Sequence, residues 1–381
     1  MANQSVSDVR SEEELAKALR PVLGAKQSGL EDILAGLVAK ACVNVMPLPP
    51  KKPSINVDNV RVAKIIGGSI ADSQVVKGLV VQRDAVGSVK SVSNAKIAVF
   101  GCPVEASSTE TKGTVVIKNA EELKTYNKGE EQMIEEAIKG VADAGCNVIV
   151  SGGSISEMAM HFIEKYNLLA LKIISKFELR RLCRAIGATA CARLGPPMPE
   201  EIGQAASVSV QEIAGTRVTV FQQVESEDTG LSTIVLRGST MSILDDLERA
   251  VDDGVNVAKA LCKDTRLVPG AGATEIALSL ALQKFGDATP GLEQYAINKF
   301  AQALEVVPRT LSENSGQNAT DTLSALYSAH SSGKSAVGVC MEEGTATIDA
   351  AEAGIYDSFR VKDSAFRLAT DAAITVMRVD Q

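Results

Sequence analysis

Three segments of this sequence bring chemistry-bearing residues close together. The first is VPGAGATE, Val268 to Glu275. Its Pro-Gly-Ala-Gly turn runs directly into a helical pattern. Small residues let a ligand approach the backbone, and a helix N-terminus carries partial positive charge, a combination that suits phosphate. It is not GxGxxG, because Glu275 stands where the third glycine would be, and the plain alternative is the ordinary start of a helix. The second is DDLERAVDDGVN, which sets Asp245, Asp246, Glu248, Asp252 and Asp253 on one helix. Crowded carboxylates bind a cation or orient a water; a solvated acidic face is the plain alternative. Gly254 follows Asp253, so a ligand has room to come close there. The third is HSSGKS, His330 to Ser335, with the tail of a phosphate loop. The glycine that such a loop needs five residues earlier is Ser328, and the order helix-then-strand is the reverse of a phosphate loop's setting. It reads as a solvated turn.

Composition removes other chemistries. The chain has 381 residues, enough for two or three domains, with a net charge of −8. That balance lacks the cationic surface that nucleic acid requires, and 3% aromatics with no Trp leave no stacking platform. Two histidines, His161 and His330, cannot build an HExxH or multi-His zinc site. His161, alone on a helix, reads as a packing or surface residue. The seven cysteines are scattered without a CxxC and read as reduced thiols of a cytosolic protein. The polar, acidic start MANQSVSDVRSEEE is unlike a signal peptide, and no apolar run approaches the about 18–20 residues that span a bilayer.

The elements that must position these segments follow from periodicity. Two amphipathic helices open the chain, with capping boxes at Ser11/Glu14 and Ser28/Glu31. MPLPPKKP, Met46 to Pro53, breaks regular structure. From about 60 to 235, short β-branched runs alternate with helices. The runs include 60–66, 79–82, 96–100, 114–118, 148–150, 168–174, 208–213, 218–223 and 233–236; the helices lie near 120–144, 156–166 and 176–186. This is an α/β block with a partly parallel sheet. The charged stretch near 120–144, interrupted by Gly129, reads as a solvated helical projection or a plain surface helix. Beyond 238 the chain turns helical: 241–263 with an apolar stripe of Ile243, Leu247, Ala250, Val251, Val255, Ala258 and Leu261; 273–285; 290–314, kinked or broken at Pro308; and 361–377. The order helices, α/β block, helices suggests a block inserted into a helical body.

Several of these segments, in this order, resemble the group II chaperonins over nearly the whole chain: ERAVDDGVNVAKAL, RLVPGAGATEIALSLAL, PGLEQYAINKFAQALEVVPRTLSENSG and AAITVMRVDQ, with support from TETKGTVVIKNAEEL and STIVLRGST. SKFELRRLCRAIGATA, TPGLEQYAI and GIYDSF look most like one subunit type of the eukaryotic cytosolic chaperonin. The resemblance implies an α/β and α multidomain fold of group II chaperonin architecture. An apical α/β domain is inserted in an intermediate hinge domain, itself inserted in a helical equatorial domain. It places the first intermediate part at 1–66, the apical substrate-binding domain at 67–230 with a helical protrusion near 105–140, the second intermediate part at 231–264 and the second equatorial part at 265–381.

The same resemblance implies ATP with Mg²⁺ as the nucleotide, related subunits of a hetero-oligomeric double ring as partners, and unfolded proteins as clients. Residue by residue, Asp253 matches the aspartate that orients the attacking water. Gly270, Ala271 and Gly272 match the triple-glycine turn at the nucleotide, with Ala271 departing from it. Gly338 matches the glycine at the adenine, and Asp357 matches the acid that accepts ribose hydroxyls. Client contact is implied for the helix matching Ser175–Gly187, whose Lys176, Glu178, Arg180 and Arg181 make it polar as well as apolar. The family's GDGT phosphate loop and its second glycine-rich loop have no counterpart in these residues. The expectation is therefore a chain lacking the first equatorial segment, with an incomplete phosphate cradle and apolar faces left without partner helices. Two further readings stand beside the ATP-driven folding subunit: an ATPase-incompetent module that binds clients or partners, and an ordinary α/β enzyme.

Overall fold

A computed structural model describes residues 4–105, 120–223, 230–341 and 345–379, with side chains of 120–130 left aside. In chain order the elements are β1 (Gln4–Ser5), α1 (Glu12–Gly24), α2 (Glu31–Val45), β2 (Val60–Ile66), β3 (Gln74–Val81), β4 (Ser91–Phe100), α3 (Ala120–Asp143), β5 (Val148–Ser151), α4 (Glu157–Lys165), β6 (Leu169–Lys172), α5 (Lys176–Ile186), β7 (Gly203–Ile213), β8 (Thr216–Gln222) and β9 (Ser232–Gly238). The remainder is α6 (Met241–Leu261), β10 (Arg266–Pro269), α7 (Ala273–Ala288), α8 (Glu293–Leu304), α9 (Val306–Asn314), α10 (Ala319–Ser331), β11 (Val337–Val339), β12 (Thr347–Asp349), β13 (Tyr356–Ser358) and α11 (Phe359–Val379). They form two compact units: residues 1–39, 53–57 and 249–381, and residues 40–52 and 58–248. This is the α/β and α multidomain fold of the sequence reading.

The second unit holds one eight-stranded sheet in the order β2-β9-β3-β8-β7-β4-β5-β6. The pairs β2/β9, β4/β5 and β5/β6 are parallel, and the rest antiparallel. Alternation along β4, β5 and β6 feeds two cores. Ile97, Val99, Val148, Val150, Leu169 and Leu171 pack against Leu179, Leu182 and Ile186 of α5. Ala98, Phe100, Ile149 and Ala170, on the opposite face, pack against Ile134 and Ile138 of α3 and Phe162 and Ile163 of α4. A strand covered on both faces is apolar wherever its side chains lack a polar partner, so β5 reads Val-Ile-Val before Ser151, whose buried hydroxyl donates to Cys102 O at 3.2 Å. Each such fully buried branched side chain contributes about 1.5–3 kcal/mol.

Helix α3 runs through Gly129 without a break, and its C-terminal half is anchored by Ile134, Ile138 and Val141. The expected strand at 114–118 and much of the expected protrusion at 105–140 lie outside the described residues. Within α6 the buried stripe takes in Leu244 and not Ile243, which is 41% exposed. Leu244 lies three residues before Leu247 and seven before Val251, whereas Ile243 is turned about 100° away. The expected helix 290–314 breaks between Leu304 and Val306. Pro308 sits in the first turn of α9, where its missing N–H is unneeded; its ring excludes the carbonyl four residues back, so the interruption falls there and not at the proline.

Candidate functional site

The first unit gathers most of the candidate residues around the start of α7. Antiparallel pairing of β10 with β13 sets Val268 opposite Asp357, and the Gly270 amide donates to Ile355 O at 3.0 Å. A Cβ added at Gly270 would stand 3.3 Å from Asp357 Oδ2, so the lack of a side chain is what lets this backbone approach the acid. Ala271 and Gly272 both take left-handed φ, 53° and 78°. Gly272 then starts α7, with no side chain capping the helix. A left-handed alanine costs about 1–2 kcal/mol; here it reverses the chain tightly enough for Ala273 N to donate to Gly270 O at 3.0 Å as α7 begins.

Gly338, on β11, closes the other side. Val339 N donates to Ala271 O at 2.8 Å, and a Cβ at Gly338 would come within 2.6 Å of that same oxygen. The residue is therefore glycine because β11 lies against the turn. The structure thus brings together Gly270, Ala271, Gly272, Gly338 and Asp357. Asp253 is positioned separately. It lies on α6 with its Oδ2 3.3 Å from Lys26 Nζ, in the turn that follows α1, and no hydrogen bond or ion pair among the described residues joins it to the turn at α7. Gly254 beside it gives α6 a close fit to Leu23 and Val38, with 3.3 Å between a notional Cβ and Leu23 Cδ2. Its glycine is accounted for by helix packing.

Two charged residues at the turn carry no signature in the sequence. Lys362, in the first turn of α11, reaches Asp357 Oδ2 at 3.2 Å and also pairs with Glu275 Oε1 of α7. Glu275 is 2% exposed. Burial pulls the Lys362 ammonium down, but Asp357 and then Glu275 outweigh it, so its pKa stands above the ordinary lysine value. Glu275 was legible only as a residue in place of a third glycine, and Lys362 not at all, because 87 residues separate the partners.

Other candidates resolve into structural roles. In the second unit Asp245 and Glu248 of α6 share Lys64, at 2.7 and 2.6 Å, so a protein cation already occupies the place between these two carboxylates. His330 ends α10 with its Nε2 2.7 Å from Val337 O, and the SSGKS residues after it form an exposed turn. His161 is a surface residue on α4, its ring edge-on to Phe162. All seven thiols are free. Burial, with Glu201 nearby, pushes Cys191 up to about 11, and burial does the same to Cys262, so both stay protonated and unreactive near neutral pH.

Helix α5 presents a second kind of surface. Ser175 caps it by accepting from Glu178 N, and left-handed Gly187 ends it. Leu179, Leu182, Ala185 and Ile186 face the sheet. Lys176, Phe177, Glu178, Arg180, Arg181 and Arg184 face outward, and Phe177 is 71% exposed. A charged face with one large apolar anchor suits adaptable protein contact.

A family model described as the TCP-1/cpn60 chaperonin family matches residues 1–381. The chain is 52% identical over 379 residues to the probable T-complex protein 1 subunit theta of Schizosaccharomyces pombe, spanning 99% of this chain and 69% of that protein. It is 50% identical over 378 residues to the human T-complex protein 1 subunit theta, spanning 99% of this chain and 68% of that one. Among solved structures it is similar to an open-state monomer of a group II chaperonin from Methanococcoides burtonii. The TM-score is 0.71 at 29% identity, over 98% of this chain and 87% of that one. On the strength of the full-length match and these relatives, the chain belongs to the TCP-1/cpn60 chaperonin family.

Proposed function

We propose that the chain acts as a theta-type subunit of the cytosolic chaperonin. In this reading, related subunits form a hetero-oligomeric double ring that binds unfolded proteins such as actin and tubulin and folds them in an ATP-driven cycle. ATP binding and hydrolysis move hinges and a lid and do no chemistry on the client. The observation that carries the reading is the cluster at α7: a helix N-terminus with no side-chain cap behind the small-residue turn Gly270-Ala271-Gly272, with Asp357 Oδ2 3.3 Å from a notional Cβ at Gly270. Amides of that first turn would bind phosphate, Asp357 would accept ribose hydroxyls and Gly338 would lie at the adenine. Asp253 would orient the water for in-line attack.

The donor set fits the nucleotide. Its two carboxylates, Asp357 and Glu275, are both paired with Lys362, so Mg²⁺ would be brought by the nucleotide, whose phosphate charge it would offset. For the domains, the proposal keeps 67–230 as apical, 1–66 and 231–264 as the two intermediate parts and 265–381 as equatorial, with the outer face of α5 as client surface. The test is the native mass of the tagged chain expressed in a eukaryotic cytosol, by sedimentation with identification of co-migrating proteins. Migration in a megadalton ring with related subunits is the expected result. A monomer or an aggregate refutes the subunit reading.

A further inference from the structure

The charge balance at the start of α7 points to a role for Lys362 that the family resemblance does not assign. Glu275 is the third residue of α7, in the first turn of the helix whose N-terminus is the proposed phosphate position. It is 2% exposed, its Oε2 is buried with no hydrogen-bond partner, and its Oε1 pairs with Lys362. A buried carboxylate there occupies the positive end of the helix and opposes any second anion. Lys362, with its side chain 22% exposed, is placed between this carboxylate and Asp357.

We propose that Lys362 is a positioning residue for the nucleotide: its ammonium cancels the buried charge of Glu275, so that the α7 N-terminus stays available to phosphate, and holds Asp357 at the ribose. This inference rests on the nucleotide reading of the site. It differs from a purely structural ion pair in one respect. A structural pair supports every ligand of the site equally, whereas charge cancellation matters in proportion to the charge of the ligand.

The experiment measures dissociation constants of ADP, AMP and adenosine for the whole chain, without divalent metal, in wild type, Lys362→Met, Lys362→Arg, Glu275→Gln and the Lys362→Met/Glu275→Gln double variant. Lys362→Met is expected to weaken ADP by about tenfold or more, AMP by less and adenosine least, because one uncompensated charge a few ångströms away acts on each added ligand charge. Lys362→Arg keeps the charge and most of the affinity. The double variant, neutral at both positions, recovers ADP binding. Equal losses for all three ligands, or no recovery in the double variant, overturn the proposal. Should Lys362→Met not fold, Glu275→Gln decides alone: it leaves the site more positive and tightens ADP more than adenosine, and unchanged or weaker ADP binding overturns the proposal. The underlying site reading fails separately, and this proposal with it, if wild type binds none of the three or if Asp357→Asn leaves adenosine affinity unchanged.

Discussion

Replacing Gly338 with alanine tests the architecture of the turn directly. The added Cβ would sit 2.6 Å from Ala271 O, 2.8 Å from Ala271 Cβ and 3.1 Å from Ala271 C. Two of these are backbone atoms, so no side chain can swing aside. To reach ordinary contact near 3.4 Å, β11 and the turn must separate by about 0.8 Å. That movement stretches the 2.8 Å bond from Val339 N to Ala271 O beyond hydrogen-bond range. Overpacking of this kind costs about 1–3 kcal/mol and the lost hydrogen bond about 1 kcal/mol, so a local destabilisation of about 2–4 kcal/mol is expected. Native-state hydrogen exchange reads it as faster exchange of the β11 and β12 amides, about 30-fold at the lower limit. The sheet of the other unit, which shares none of these contacts, should exchange as before. A change below about twofold at Val339 would refute the argument that β11 needs glycine because of the turn.

Three further outcomes follow from the same contacts. Ala271→Gly removes a left-handed alanine and should raise stability by about 1 kcal/mol in urea unfolding, less what glycine loses in backbone entropy. Asp253→Ala should cut ATP hydrolysis at least about 10²-fold in an assembled chaperonin while nucleotide affinity holds, since an orienting carboxylate acts in the transition state; unchanged turnover removes that role. Asp84 is held below the usual carboxylate range by Lys90 first and Arg217 second, against an opposing burial effect. A lowered folded pKa means that its stabilisation is present above the unfolded value, about 3.9, and is lost as pH falls through the folded value. Asp84→Asn should therefore lower the urea midpoint at pH 7, by an amount that shrinks as pH falls below about 3.9.

Local signals were read well where one residue pattern decides the outcome. Strand β2 falls at 60–66 and α5 at 176–186, as periodicity and the Ser175 cap require. Ser11 likewise accepts from Glu14 N. Ser28 does not cap α2, because the first helical bond runs from Leu34 N to Leu30 O and leaves Ser28 in the preceding turn. Gly270, Ala271, Gly272, Gly338 and Asp357 lie together at the start of α7, and Asp253 lies apart on α6. What the sequence concealed is non-local. The three-residue strands β11, β12 and β13 are too short for a period, yet β13 sets Asp357 beside the turn. The Glu275–Lys362–Asp357 group exists only once α11 is docked, and nothing in the spacing of those residues announces it.

The double coverage of β5 has a consequence for how its alignment is chosen. In a sheet with one wet face, a one-residue slip would turn apolar side chains into water, and that penalty fixes the register. With cores on both sides, a slipped β5 still buries Val148, Ile149 and Val150, so polarity alone cannot reject the error. The discrimination falls to the polar residues at its two ends, Asn147 and Ser151. Asn147 Oδ1 accepts from Lys96 N at 2.7 Å, its Nδ2 donates to Asn94 O at 3.3 Å, and its own amide donates to Lys96 O at 3.0 Å. Three bonds to one neighbouring strand specify a single alignment, and any slip breaks them together. Asn147 at one end of β5, with the buried hydroxyl of Ser151 at the other, thus guards against a misfold that hydrophobicity would accept.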